Sequence, residues 1–569
     1  MQRLWLEKVL QLQWYGKTLS SYSQLILNCM TSNNALDRVS NAGNIFLGVF
    51  AIATIRDFLE VALEGIFVMN ASAPLQSLKT YFLHFNTFYF LVWATLSLLL
   101  FLFTRKKTTV SECFKTGALA MMLIWVGPLF DYFVVGAFDM FYPPDPIGVF
   151  KNLHRLADPT YSYEGMSKGM RVEILLAGAG AVGFIFYKTR NILSSVLGGF
   201  CISIGCLLIG TLIPIITQYY EYGISFGRHE LYDSTLLHQG FVVHGTGSKI
   251  ALFYISLCIV LLALAYFIRS RERFMALVGN FRWTRAMHYL VLFFGGAAFI
   301  YFNPPVLGPE YEGYYEYMTT IWEHPSDIFG IVMAAVAVLL SFESAVIVND
   351  VYDFDIDAVS NSDRPLVTKA IPDAEYRAIG KIFTATALTI AFAVNETFFF
   401  LIVLYNLAAF LYSAPPFRLR RYFIVSNVEL AAIFIITFLA GTTTLLDEYR
   451  LRNVPTYIVF GLLASYVMAM TVKDCKDYDG DKRMHIQTLQ TVFGQKIGNI
   501  LAVILVCCSI LLTPVMLHLH QLTVFSIVVC LLFLASMIVT KKYKTKEWLV
   551  TLLYYIYVIT VFYFLIKPI

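Results

Sequence analysis

The chain has 569 residues, of which 58% are hydrophobic and 14% are charged, and its formal net charge is +4. Soluble domains carry roughly 25% charged residues, so this composition excludes a water-soluble globular protein and a disordered chain. The small, dispersed net charge excludes a nucleic-acid-binding module, so we expect no nucleic-acid partner. The nine cysteines form no CxxC pair, which argues against a zinc site or a disulfide framework.

Fifteen segments approach the length of about 20 mostly apolar residues that a membrane-spanning helix needs. Six precede residue 285, near 42–68, 81–104, 117–138, 171–187, 194–218 and 249–269. Nine follow it, near 287–303, 326–348, 377–394, 396–413, 425–443, 456–473, 497–517, 522–540 and 547–566. The sequence therefore predicts an all-α polytopic membrane protein in the lipid bilayer, with six helices followed by nine.

Charged residues inside the first predicted span are unusual, because ionised groups are expensive in a bilayer and often functional. Arg56, Asp57 and Glu60 lie within it, and Asp131 lies on a later span. One interpretation is a structural cluster that is paired internally. The other is a polar site that the first span shares with Asp131.

A basic segment, Arg269–Arg285, separates the first six predicted spans from the last nine. We take it as a domain boundary, which gives an N-terminal membrane domain of unknown role at 1–285 and a second domain at 286–569. If residue 1 is cytoplasmic, the connections rich in Lys and Arg also become cytoplasmic, as the positive-inside rule requires. We therefore expect a multi-pass protein of the cell membrane.

Two acidic motifs follow spans on the side of the membrane that this topology makes cytoplasmic. The first motif is NDVYDFDID at 349–357, and the second is KDCKDYDGD at 473–481. In each, three aspartates stand at i, i+3 and i+7, which places them on one helical face. Crowded carboxylates repel one another unless a cation lies between them, and hard oxygen ligands suit Mg²⁺, which also binds substrate phosphates. Such a metal would stabilise a departing diphosphate.

These motifs, together with DRPL at 363–366 and YSAPPFRLRR at 412–421, resemble the UbiA superfamily of intramembrane prenyltransferases in order and spacing. The resemblance covers about residues 280–569, and the residues before it carry no motif that indicates a family. It implies a nine-helix bundle with a central cavity, in which an isoprenyl group moves from an allylic polyprenyl diphosphate to an acceptor and pyrophosphate is released. The acceptor is left open among aromatic compounds, glyceryl phosphates and sugar phosphates, and thus among small molecules and lipids.

The resemblance also implies roles for particular residues. The Mg²⁺ ligands would be Asp350, Asp353, Asp357, Asp474, Asp477 and Asp481, with Asn349 completing the first motif. Arg364, Lys473 and Tyr412 match positions that contact the diphosphate, and a guanidinium can pair bidentately with phosphate oxygens. Arg364 and Lys473 would act with Asp350, Asp353, Asp474 and Asp477 in catalysis.

Two basic residues each have two interpretations. Arg418 is either a topology anchor or a contact to a diphosphate or an anionic lipid. Lys369 replaces a glycine that the family usually carries, and it would rim the cavity and bind either an anionic acceptor or lipid headgroups.

A multispanning transporter or channel with acidic cation sites is the alternative function. Both acidic motifs lie on one membrane face, however, whereas a cation pathway distributes its carboxylates through the membrane.

Overall fold

The computed structural model describes residues 42–64, 74–135, 141–142, 167–221, 226–227, 246–303, 321, 325–445, 451, 454–475, 478–484, 486–543 and 547–567. These residues are mostly helical. One short antiparallel pair joins β1 (Phe141–Tyr142) to β2 (Phe226–Gly227), with Phe141 opposite Gly227 and Tyr142 opposite Phe226. The predicted all-α polytopic membrane fold is confirmed.

The N-terminal half contains seven of the described helices before the basic segment. They are α1 (Ala42–Glu64), α2 (Pro74–Thr104), α3 (Val110–Ala120), α4 (Val126–Phe130), α5 (Lys168–Thr189), α6 (Ile192–Glu221) and α7 (Thr246–Arg269). A 3₁₀ turn at Met121–Trp125 joins α3 to α4, and a π turn at Asp131–Val135 follows α4, so together these elements form one span.

The C-terminal half follows a short helix in the basic segment, α8 (Arg271–Gly279). Its described helices are α9 (Trp283–Phe302), α10 (Pro325–Tyr352), α11 (Phe354–Ser360), α12 (Asp373–Val394), α13 (Glu396–Ser413), α14 (Phe423–Thr443), α15 (Thr456–Ala469), α16 (Tyr478–Arg483), α17 (Leu489–Phe493), α18 (Gln495–Met516), α19 (Thr523–Tyr543) and α20 (Glu547–Ile566). A 3₁₀ turn at Met470–Cys475 extends α15.

Each of the fifteen predicted spans coincides with helical structure in the described part of the chain. Twelve described helices are long and apolar enough to cross a membrane, and residues 520–535 and 552–566 add shorter apolar helices. The first predicted span is α1, whose charged residues set it apart from those twelve. The chain is therefore a multi-pass membrane protein.

The tight hairpin between α12 and α13 depends on one residue, Asn395. Its Oδ1 accepts a hydrogen bond from Phe398 N at 2.7 Å, which caps the first turn of α13. Its Nδ2 donates to Thr443 O at 3.0 Å. A single buried side chain therefore ends one span, begins the next and ties both to α14.

Two glycines allow α9 and α14 to cross at backbone contact. A Cβ at Gly441 would stand 1.8 Å from Phe293 O, and one at Gly296 would stand 2.0 Å from Phe438 O. Small residues are common where membrane helices approach this closely. This crossing holds α9 against α14, and both helices line the cavity described below.

The buried charges of α1 are paired within the N-terminal half. Arg56 forms ion pairs with Glu60 and, at 3.4 Å, with Asp57, while Asn86 Nδ2 donates to Asp57 Oδ2 at 2.7 Å. Asp131 accepts a hydrogen bond from Gly169 N at 2.7 Å. The contacts favour the interpretation of an internally paired structural cluster.

The two halves pack against each other across the predicted boundary. The rings of Phe253 on α7 and Phe329 on α10 stack with their centroids 4.3 Å apart. Lys249 Nζ lies 3.9 Å from Asp327 Oδ2, and Lys79 on α2 forms an ion pair with Glu396 on α13. Apolar residues of α2 and α7 join the core of the C-terminal half.

Candidate active site

A cavity of about 410 Å³ opens among the helices of the C-terminal half. Its charged and polar wall carries residues of both acidic motifs and several bases: Arg282, Arg285, Asn349, Asp353, Asp357, Asn361, Arg364, Tyr412, Arg420, Lys473 and Asp474. The rest of its wall is largely aromatic and aliphatic and includes His288, Tyr289, Phe342, Phe434, Val506, Phe533, Tyr554 and Tyr555. The cavity therefore offers one region for an anion and its counter-ions and another for an apolar chain.

The helix that carries the first motif is interrupted at Asp353. The helix α10 ends at Tyr352, and α11 begins at Phe354. Asp353 and Asp357 line the cavity, whereas Asp350 is not among the described residues that line it. Asp350 and Asp357 nevertheless stay on the same side of the motif, because Arg364 Nη1 pairs with both of them.

Asp350 is held by four side-chain donors. It is 1% exposed. Tyr376 Oη and Asn280 Nδ2 donate to its Oδ2 at 2.9 and 3.1 Å. Arg282 Nη2 donates to its Oδ1 at 2.7 Å, and Arg364 pairs with the same oxygen. This network fastens the end of α10 to the basic segment, to the DRPL loop and to α12.

The two aspartates in the cavity wall are also paired with arginines. Arg418 Nη2 lies 3.1 Å from Asp353 Oδ1 and donates to Tyr352 O at 2.9 Å, and Arg420 pairs with Asp353 Oδ2. Arg364 Nη1 lies 2.8 Å from Asp357 Oδ2. Burial raises the pKa of Asp357 to about 6, although Arg364 stabilises its ionised form.

The second motif reaches the same site through its lysine and its first aspartate. Lys473 Nζ donates to Asp474 Oδ1 at 2.7 Å, and both residues line the cavity. Asp481 is buried, and Arg420 Nη2 lies 3.8 Å from its Oδ1. Arg420 therefore bridges the two motifs. The predicted ligand Asp477 lies outside the described residues.

The remaining predicted site residues divide into two groups. Asn349 and Tyr412 line the cavity. Arg418 acts on the site through Asp353, and burial lowers the pKa of its guanidinium. Lys369 is exposed and outside the described cavity lining, and its backbone has a φ of 58°, the left-handed conformation that favours glycine. The lysine thus keeps the backbone shape expected of the glycine that it replaces.

Sequence reasoning missed the contribution of the basic segment. Asn280 and Arg282 bind Asp350, and Arg285 lines the cavity with its side chain exposed. The sequence pattern of this segment predicted only a domain boundary and a topology signal. The one available signal was that its bases directly precede the first span of the C-terminal half, on the membrane face where the sequence also predicts both motifs.

The donor set of the cavity wall fits a hard divalent cation. Asn349, Asp353, Asp357 and Asp474 present amide and carboxylate oxygens to a common space, and these are the ligands that Mg²⁺ takes. In the described residues, no three acidic, histidine or cysteine side chains already converge on one point. The carboxylates are held instead by Arg364, Arg418, Arg420 and Lys473.

Comparisons with known proteins identify relatives of the C-terminal half. Residues 318–563 match the model of the UbiA prenyltransferase family. The digeranylgeranylglyceryl phosphate synthase of Methanosphaera stadtmanae is 23% identical over 214 residues, which cover 37% of this chain and 74% of that protein. Chloroplastic chlorophyll synthase of Arabidopsis thaliana is 31% identical over 162 residues, or 26% of this chain and 39% of that protein. A solved UbiA homolog from Archaeoglobus fulgidus, bound to DMAPP and Mg²⁺, covers 49% of this chain and 96% of its own, with 18% identity and a TM-score of 0.35.

Proposed function

We propose that this chain, which matches the UbiA prenyltransferase family over residues 318–563, is a membrane prenyltransferase that moves an isoprenyl group from an allylic polyprenyl diphosphate to an acceptor. The resemblance predicted for the C-terminal half is confirmed by that match. The observation that carries the proposal is a single cavity whose wall joins oxygen ligands and cations to an aromatic, apolar region. A donor with a diphosphate head and a hydrocarbon tail has the same division.

The head of the donor would bind at the charged wall. Asn349, Asp353, Asp357 and Asp474 would hold Mg²⁺, and Asp477 and Asp481 would complete the ligand set predicted for the second motif. When bound, Mg²⁺ would supply positive charge against the diphosphate as it leaves. Asp350 has a different task in this proposal, because its four donors make it an anchor that positions the end of α10.

The bases of the site would stabilise the leaving group directly. Arg285 lines the cavity without a described ion-pair partner, so its guanidinium is available to phosphate oxygens. Arg364 and Lys473 are each tied to an aspartate of a motif and would add their charge at the same end. Cations preorganised where negative charge develops lower the barrier to cleavage of the bond between C1 and oxygen.

The aromatic region would protect the allylic cation that this cleavage leaves. Tyr289 and Phe434 lie 5.2 Å apart between ring centroids, and both line the cavity. The negative faces of such rings attract a cation, and their bulk excludes water that would otherwise capture it. The acceptor would enter this space and bond to C1 in place of water.

The donor and acceptor classes follow from the relatives. The product named for the digeranylgeranylglyceryl phosphate synthases is a glyceryl phosphate that carries two geranylgeranyl groups, and chlorophyll synthase is named for a chlorophyll. We propose a long-chain isoprenyl diphosphate as the donor and a glyceryl phosphate or an aromatic ring as the acceptor. The catalytic domain would be 286–569, with 1–285 as an accessory membrane domain, and the face that carries both motifs would be cytoplasmic.

The test is diphosphate release and prenyl transfer by the full chain in lipid nanodiscs, with geranylgeranyl diphosphate and Mg²⁺ as probes. Asp474→Asn should raise the Mg²⁺ concentration for half-maximal release by about tenfold or more, since metal sites lose this much affinity when a supporting side chain changes. The control Asp373→Asn makes the same chemical change in an exposed pair with Arg377 and should behave as the unaltered chain. Release that is absent, or that needs no divalent cation, would refute the proposal.

A further inference from the structure

A buried histidine, His288, faces the cavity from α9. It is 5% exposed, and neither ring nitrogen has a hydrogen-bond partner in the described part of the chain. Buried polar groups in folded proteins are nearly always hydrogen-bonded, so an orphaned imidazole in a cavity wall indicates a partner that arrives from the cavity. This partner must itself carry a hydrogen-bonding group.

The surroundings of His288 are aromatic. Phe434 and Tyr466 meet its ring edge to face, with centroids 5.0 and 5.6 Å away. Tyr555 stacks on it at 5.4 Å with an interplanar angle of 20°, and Tyr554 lies 6.1 Å away. These rings fix the plane of the imidazole and supply none of its missing hydrogen bonds. The nitrogens are therefore positioned but unsatisfied.

The place of His288 along α9 matches the reacting end of the donor. Arg285 precedes it by three residues, so both side chains lie on one face of the helix, and both line the cavity. The rise of an α-helix puts His288 about 4.5 Å deeper than Arg285. A diphosphate held at the level of Arg285 would leave its C1 atom beside the aromatic rings around His288.

We propose that His288 binds the hydroxyl group of the acceptor and takes its proton during transfer, so that the product is an ether. This inference rests on the proposed function and narrows its acceptor to a hydroxyl compound. A neutral imidazole with a free nitrogen is a suitable base for a hydroxyl, and no other histidine lines the described cavity. An aromatic acceptor attacked through ring carbon would not need a base beside its oxygen at the moment of attack.

The step balances without a further reactant. The bond between C1 and the diphosphate oxygen breaks, and its electron pair leaves with the diphosphate. A lone pair of the acceptor oxygen forms the new bond to C1, and the proton of that hydroxyl moves to a nitrogen of His288. The imidazolium then gives this proton to the departing diphosphate, which restores the neutral ring.

The decisive variant is His288→Phe, which keeps an aromatic ring in the cluster and removes both nitrogens. Geranylgeranyl diphosphate is the donor, and geranylgeranylglyceryl phosphate is the hydroxyl probe. We expect ether formation to fall by about 100-fold or more, the usual contribution of general-base catalysis. Diphosphate release without acceptor and the KM for the donor should stay within about twofold. The product should shift from ether to the free alcohol made by water capture.

His520→Phe is the matched control, because His520 is exposed and outside the described cavity lining. A second variant, His288→Asn, guards against misfolding of the first, since it is polar and smaller but cannot act as a base. Loss of ether formation with diphosphate release retained, in either variant, supports the inference. Equal loss of both activities in both variants would show a structural role and overturn it, as would unchanged ether formation in a variant that retains release.

The unaltered chain separates this inference from the proposed function. If it transfers the isoprenyl group only to a ring carbon of homogentisate and never to the hydroxyl probe, the inference is overturned while the prenyltransferase function stands. If it neither releases diphosphate nor transfers the isoprenyl group, the proposed function itself fails.

Discussion

Tyr376→Phe tests how the first motif is anchored. The side chain is fully buried, and its hydroxyl donates to Asp350 Oδ2 at 2.9 Å and accepts from Asn280 Nδ2 at the same distance. Phenylalanine fills almost the same space, so the variant removes one hydrogen bond to a charged group without opening a cavity. Such bonds contribute about 1.5–3 kcal/mol to stability. Asn280 Nδ2 still reaches Asp350 at 3.1 Å, so no donor is orphaned. We therefore expect Tyr376→Phe to lower the free energy of unfolding by about 1.5–2 kcal/mol.

The assay is reversible unfolding of the full chain in mixed micelles, with increasing SDS as the denaturant. Tyr422→Phe, in which a half-exposed tyrosine changes in the same way, is the control and should alter the free energy of unfolding by less than about 0.5 kcal/mol. Combining Tyr376→Phe with Asp350→Asn should give a smaller loss than the sum of the two single losses. A loss below about 0.5 kcal/mol for Tyr376→Phe, or strict additivity in the double variant, would refute the anchoring network.

Four further outcomes are expected. Removal of divalent cations with EDTA should abolish diphosphate release, and added Mg²⁺ should restore it; activity that persists in EDTA contradicts the metal assignment. Gly441→Ala should lower the free energy of unfolding by about 1–3 kcal/mol in the same micelle titration, because its methyl group would overlap Phe293 O. An unchanged free energy of unfolding would mean that α9 and α14 can move apart at little cost. A chain that begins at Ser270 should release more diphosphate than one that begins at Asn280, since only the former keeps α8; equal rates would show that α8 is dispensable. Lys369→Gly suits the left-handed backbone there, so an increased KM for the acceptor in this variant would support contact with the acceptor, and an unchanged KM would speak against it.

Local sequence patterns predicted the helices well, because each span is a long apolar segment bounded by polar residues. Even the sharp turn between α12 and α13 was visible as the polar triplet Asn395-Glu396-Thr397 between two apolar runs. The interruption of the helix within the first motif was not visible in the sequence. The spacing of its aspartates predicted one continuous helix, but α10 ends before Asp353, and Arg282 and Arg364 hold Asp350 outside the described cavity lining.

The contribution of the basic segment could not be predicted for a different reason. Arginines beside a membrane span are common as topology signals, and nothing local distinguishes one that folds back onto a carboxylate. Arg273 pairs with Glu375 at 2.7 Å and Arg282 with Asp350, so each partner is separated by many residues along the chain. The same holds for Arg418 and Arg420, which both bind Asp353 from far along the chain. Only tertiary packing brings these pairs together.

The paired charges of α1 also have a consequence for how the chain enters the membrane during synthesis. A charged residue at the centre of a helix costs about 2.5–3.5 kcal/mol on insertion through the translocon. Arg56 and Glu60 offset part of this cost within α1, but Asp57 finds its neutral donor, Asn86, on α2. The helix α1 is thus a poor signal for insertion by itself, and it should leave the translocon for lipid only when α2 has emerged and the two can enter as a hairpin.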